Sequence, residues 1–200
     1  MSVKDGVATL FAMARNEPGW EERYDLSAAA VFASFWAVPL ALPGGLLIGE
    51  VARQAAAQTP GLEEAASTPA LPFAIIQLFS LLASWGFGLL VVTRIAARTG
   101  AGWRVTPVII GYNWAFFVVH LVAGLNAALA VGLGLMPLVS MAALAAIILN
   151  VWLLMGVAKQ GFAVDTGPAV GIVMMVYLAK ILGSLLTSTL GGLVLGTGAA

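Results

Sequence analysis

The stretch Val105–Leu129, VTPVIIGYNWAFFVVHLVAGLNAAL, runs 25 residues without an Asp, Glu, Lys or Arg. At ~1.5 Å rise per residue about 20 residues cross a hydrocarbon core of ~30 Å, so this segment alone is long enough to span a bilayer. Working outward, four more stretches have the same character: Ala28–Ile48, Leu71–Thr93, Leu138–Val157 and Ala169–Leu190. The pattern predicts an all-α, polytopic bundle of five transmembrane helices over residues 28–200, preceded by a short segment over 1–27. Hydrophobic residues make up 61% of the chain and charged residues 9%, with a mean hydropathy of +1.01. Soluble domains carry about 25% charged residues, so a water-soluble fold is excluded.

Composition removes several function classes. Nine basic and nine acidic residues cancel, which leaves no basic surface for nucleic acid. There is no cysteine, so thiolate metal sites, disulfides and Cys nucleophiles are excluded. A polar stretch of some 27 residues precedes the first apolar run where a signal peptide would have a short basic region, so the first span is expected to be retained.

Basic residues set the expected orientation. Lys4, Arg15, Arg23, Arg94, Arg98, Arg104 and Lys159 fall on one side of a five-span path and Arg53 on the other, while Lys180 lies inside the fifth span. The positive-inside rule then predicts a cytoplasmic N-terminus and an external C-terminus. Pro39 and the run Pro43-Gly44-Gly45 offer an alternative, a re-entrant hairpin in place of the first span. That path leaves four basic residues on each side, so a kinked full span is preferred.

Ser2 followed by Asp5, with Val3, Val7, Leu10 and Phe11 at helical spacing, predicts a capping box and a short amphipathic helix over Ser2–Arg15, lying in the cytoplasmic interface. Asn16–Asp25 is a polar connector, Ser27 a cap for the first span, and Gln54–Pro69 the external loop. Pro69, Pro72, Pro107, Pro137 and Pro168 each stand at or near the first turn of a span, where a missing N–H costs least. The short Gly132–Pro137 connection predicts antiparallel neighbours. Small residues form stripes: Ala179, Gly183, Thr187 and Gly191 on the fifth span, Ala142, Ala146 and Asn150 on the fourth, Gly45 and Gly49 on the first. Such stripes specify close helix contact, and the longest of them predicts a central fifth span.

Chemistry is sparse. A lysine near the bilayer midplane costs roughly +2.5 to +3.5 kcal/mol on insertion scales, and no span interior holds a carboxylate to pair with Lys180. Ser84, Asn113, His120, Asn150 and Lys180 fall near mid-depth and form a candidate polar cluster. Tyr177 is a further neutral partner for Lys180, and Gln77, Ser80, Ser84 and Gly88 give the second span a polar face. Two readings follow: interhelical hydrogen bonds that fix the bundle, or the lining of a solute or ion pathway. One histidine cannot assemble a metal or haem site, so neither is expected. The sequence carries no Gly-x-Ser-x-Gly elbow, no His-Glu-x-x-His helix and no phosphate-cradling loop; Ser184 and Lys180 at i, i+4 imitate a serine–lysine dyad without a recognisable oxyanion hole. No enzyme and no cofactor are expected.

The opening Leu10-Phe-Ala-Met-Ala-Arg-Asn-Glu-Pro18, leading through a connector to five spans, resembles the layout of Yip1-type membrane proteins. Tyr112-Asn113-Trp114 and Trp152 with Ala163-Val164-Asp165 resemble a group of uncharacterised proteobacterial inner-membrane proteins of similar length. The resemblance implies a bacterial inner-membrane protein with a membrane-organising or adaptor role and carries no catalytic motif. The expected function is a non-enzymatic membrane scaffold whose partners are the lipid bilayer and other membrane proteins or itself, through small-residue faces. The alternative is a small transporter or channel subunit centred on Lys180.

Overall fold

The computed structural model describes residues 2–23, 25–57, 59, 67–98, 104–134 and 137–194. Gly102, most of the 58–66 stretch of the first loop and part of the Gly132–Pro137 connection lie outside the described residues. Five helices, Ala28–Ala57, Ala70–Arg98, Val105–Gly132, Val139–Gly161 and Thr166–Gly191, are long and apolar enough to cross a membrane. Together with the helix Val3–Ala14 they give an all-helical chain among the described residues.

The ends of the helices follow the local chemistry read from the sequence. Ser2 caps Val3–Ala14, with its hydroxyl accepting from the Asp5 N–H at 3.2 Å and the Asp5 carboxylate accepting from the Ser2 backbone N–H at 3.3 Å. Ser27 caps the first span by accepting from the Ala30 N–H at 3.2 Å. That span runs nine residues further than Ile48 and is interrupted at Phe35–Trp36, not at the Pro43-Gly44-Gly45 run: Ala28–Ser34 ends there and Ala37–Ala57 begins. The interruption places Pro39 in the first turn of the new helix, where its absent N–H is not needed, so only Pro43 costs a backbone bond inside the helix.

The N-terminal helix packs into the bundle. Thr9, Leu10, Ala12 and Met13 are at most 1% exposed, and the helix docks against the third and fourth spans. Two glycines allow this. Gly156 lies against the Ala14 backbone and Gly6 against the Trp114 indole, closer in both cases than a Cβ would permit. Phe11 adds a ring contact to Trp152 at 5.8 Å.

The third span is the centre of the bundle. Val108, Ile110, Tyr112, Asn113, Trp114 and Ala115 are buried, and the span touches the N-terminal helix and the first, second and fourth spans. This corrects the expectation of a central fifth span. The fifth span pairs mainly with the second and turns Leu178, Ile181, Leu182 and Leu185 outward. A stripe of small residues on one face serves one close neighbour; a central helix is enclosed around its circumference, as the third span is over residues 107–118, before Leu121, Leu125 and Leu129 turn outward.

Chain neighbours touch, yet the most extensive pairings are first with third and second with fifth. Small residues make both. Gly183 lies on the Ala83 backbone and Gly191 on the Ile76 side chain, while the first span crosses the third where Gly44 meets Gly124 backbone to backbone. A Cβ on Gly124 would stand 2.5 Å from the Gly44 Cα. Gly45 and Gly49 receive Leu81 and Gln77 of the second span.

One end of the bundle gathers the N-terminal connector, the start of the third span and the end of the fourth. Arg104 Nη2 is 3.6 Å from a Glu21 carboxylate oxygen and its Nη1 donates to the Gln160 carbonyl at 3.1 Å. Trp20 Nε1 donates to Gln160 Oε1 at 3.1 Å, and Gln160 Nε2 donates to Asn16 Oδ1 at 2.9 Å. A re-entrant first segment would put Glu21 and Arg104 on opposite sides of a membrane. Their contact therefore selects the full span.

Candidate functional site

The polar residues inside the spans fall into neighbouring groups, not one centre. The best connected is Asn113, fully buried on the third span. Its Oδ1 accepts from Trp85 Nε1 of the second span at 3.0 Å and its Nδ2 donates to Ser34 Oγ of the first at 2.9 Å. Ser34 in turn donates to the Val31 carbonyl at 2.7 Å. Tyr112, next to Asn113 in the chain, adds a second bond between the same two spans, its hydroxyl donating to the Trp85 carbonyl at 3.0 Å. A single carboxamide, with one acceptor and one donor end, thus ties three spans together.

Two of these partners were missed in the sequence. Ser34 ends the first piece of a broken helix, and Trp85 is an indole in mid-span. The readable signal was the indole itself: a buried Trp N–H needs an acceptor, and Asn113 is the nearest amide in depth.

A second link joins the second and fifth spans, where the Ser80 and Ser184 hydroxyls are 2.8 Å apart. Ser84, half-buried, makes no side-chain hydrogen bond among the described residues, so the second span uses Ser80 and not Ser84 toward its partner.

Lys180 stands next to this link. Its Nζ lies 5.9 Å from the Phe116 ring centre and 5.6 Å from that of Tyr177, and no carboxylate reaches it among the described residues. Its stem runs past Gly88, where an added Cβ would stand 3.3 Å from Lys180 Cγ. Cation–π contacts of ~0.5–2 kcal/mol each offset part of the insertion cost of a mid-span lysine. His120 packs on the same phenylalanine: its ring centre is 4.1 Å from that of Phe116 and its Nδ1 is 2.8 Å from the Phe116 carbonyl. Phe116 thus contacts both His120 and Lys180. Asn150 is buried on the fourth span and faces the Tyr177 hydroxyl, which has no hydrogen-bond partner of good geometry among the described residues.

The cluster read from the sequence is therefore brought together in part. His120, Lys180 and Asn150 are linked through the rings of Phe116 and Tyr177, Asn113 belongs to a separate clamp, and Ser84 joins neither. A cavity of about 440 Å³ opens between the second and fifth spans, lined by apolar residues such as Ile75, Phe79 and Leu190 with Thr187. None of its lining residues belongs to the polar cluster.

Five candidate spans and an all-helical architecture make this an integral, multi-pass membrane protein. Comparison with protein-family models, with curated proteins and with solved structures finds no match to the chain.

Proposed function

We propose that the chain is a non-enzymatic scaffold or adaptor of the bacterial inner membrane, with its N-terminus cytoplasmic and its C-terminus external. The observation that carries this reading is where the intramembrane hydrogen bonds go. Asn113, Trp85, Ser34 and Tyr112 bond to one another or to backbone, and Ser80 bonds to Ser184, so these groups are spent on joining helices. A pathway would keep such groups free for a passing solute. The orientation rests on the charge distribution: the end that holds Arg15, Arg104 and Lys159 is the basic one. The Yip1-type layout belongs to the same proposal. The small-residue stripes are used within the bundle, which directs any partner to the outward apolar faces of the fourth and fifth spans.

The second reading, a transporter or channel subunit, draws on Lys180, a cation in a span without a carboxylate. Flux into liposomes separates the two. The scaffold reading expects vesicles carrying the wild type to be no more permeable to ions and small solutes than empty ones, and Lys180→Leu to change nothing. A protein-dependent flux abolished by Lys180→Leu, with the variant still folded, overturns it.

A further inference from the structure

We propose that a cleft at the basic end of the bundle binds a phosphate-bearing anion, the headgroup of an acidic phospholipid or a free phosphate. The cleft has a volume of about 190 Å³ and is lined by Ala14, Asn16, Trp152, Met155, Gly156, Lys159 and Thr166. Three local features of the chain border it. The N-terminal helix stops at Ala14, and Asn16 turns the chain away in the left-handed region at φ 54°. The fourth span widens into a π turn over Val157–Gly161, which carries Lys159. Ala163, also left-handed at φ 52°, separates that turn from the fifth span, which starts at Thr166. Asn tolerates the left-handed region, whereas Ala163 is held there against its own steric preference, and such positions together with π turns cluster at functional sites.

The donors around the cleft are unspent. Arg15 and Arg104 each stand near a carboxylate, at 3.5 and 3.6 Å, whereas Lys159 has none among the described residues. Asn16 uses its Oδ1 to accept from Gln160, and neither its Nδ2 nor the Thr166 hydroxyl makes a hydrogen bond among the described residues. An ammonium, a carboxamide and a hydroxyl among the lining side chains suit a ligand with several acceptor oxygens and a negative charge. The acidic groups nearby are Glu17, which Arg15 holds, and the exposed Asp165. Trp152, 38% exposed beside the cleft, is the residue type found at headgroup depth. Basic pockets between spans are a known way for membrane proteins to hold acidic headgroups. The inference stands independently of the scaffold reading and needs only a membrane protein.

The test is native mass spectrometry of the detergent-solubilised full chain with phosphatidylglycerol or phosphatidylcholine, beside thermal unfolding with and without inorganic phosphate. Retention of phosphatidylglycerol over phosphatidylcholine is expected, with Lys159→Gln weakening it about tenfold, the worth of one charge-assisted hydrogen bond. Lys159→Arg and the distant control Lys4→Gln should keep it. Asn16→Asp, which tolerates the left-handed backbone and still accepts from Gln160 but sets a carboxylate against the anion, should weaken it at least as much. A phosphate-induced, Lys159-dependent stabilisation without lipid preference would assign the site to free phosphate. The proposal is overturned if neither probe binds preferentially, or if folded Lys159→Gln and Asn16→Asp both bind as the wild type does.

Discussion

Replacing Asn113 by Ala should cost more than any other single polar truncation in the spans, and the reason can be counted bond by bond. Asn113 makes two interhelical hydrogen bonds, to Trp85 and to Ser34. Such bonds in membranes average ~0.6 kcal/mol and reach ~1.7. Their joint loss is about 1–3 kcal/mol, and the Trp85 indole N–H left without an acceptor adds ~1 kcal/mol more. The expected total is about 2–4 kcal/mol. Asn126 is the internal control, because among the described residues its Nδ2 donates only to the Val122 carbonyl of its own helix at 2.8 Å, so Asn126→Ala should stay within ~0.5 kcal/mol. Reversible unfolding in lipid bicelles, followed by steric trapping, measures both. Trp85→Phe keeps the ring that meets Phe35 at 5.7 Å and removes only the N–H, and Ser34→Ala removes only the hydroxyl. Double-mutant cycles of each with Asn113→Ala should therefore give couplings of ~0.6–1.7 kcal/mol. Strict additivity in both cycles, or an Asn113→Ala cost no larger than that of Asn126→Ala, would refute the clamp.

Glycine substitutions should split by what their Cβ would meet. Gly124→Ala drives a methyl into the Gly44 backbone and should destabilise by at least ~1–3 kcal/mol, whereas Gly171→Ala meets nothing within 4 Å and should be neutral or stabilising by ~0.5–1 kcal/mol, both read from the same unfolding assay. At the N-terminal helix, the Ser2 hydroxyl and backbone N–H donate to the Asp5 carboxylate and hold its pKa below the ordinary 3.8. A lowered carboxyl contributes stability that is present above that ordinary value and is lost as pH falls through the folded one. Amide hydrogen exchange in the first turn should therefore accelerate on acidification below about 4, relative to the rest of the helix and after correction for intrinsic rates. It should lose that pH dependence in Ser2→Ala; an unchanged profile in the variant would sink the capping account.

The spans, the capping box at Ser2 and Asp5, and the cap at Ser27 were legible because each rests on a local signal: an uncharged run, or a hydroxyl three residues from an N–H. The break at Phe35–Trp36 was not, since the prolines that draw the eye are accommodated in the first turn and in mid-helix, and the interruption falls where no residue forbids a helix. Which span is central was misread for a related reason. Small residues report closeness to one partner, while centrality shows as burial around the whole circumference, a property of neighbours. Of the polar cluster, depth along each span could be counted, but rotation about each helix axis could not. Ser84 and Ser80 differ by one turn and Asn113 and His120 by two, so all fit one centre on depth alone; Asn113 turned out to serve the clamp and His120 to stack on Phe116. The docking of the N-terminal helix was hidden in Gly6 and Gly156, each of which matters only because of what lies opposite.

If the polar groups in the spans join helices and do not line water, thiols placed among them should be shielded from aqueous reagents. The absence of native cysteine permits a direct test with the single substitutions Ser84→Cys, Asn150→Cys and Ser184→Cys, and with Ala57→Cys as the exposed control at the end of the first span, all probed in intact membranes with an impermeant thiol reagent. Only the Ala57→Cys variant should react from outside, and the three mid-depth positions should stay unlabelled even when both faces are open to reagent. Labelling at positions 150 and 184 in a folded protein would contradict this and place a hydrated path beside Lys180.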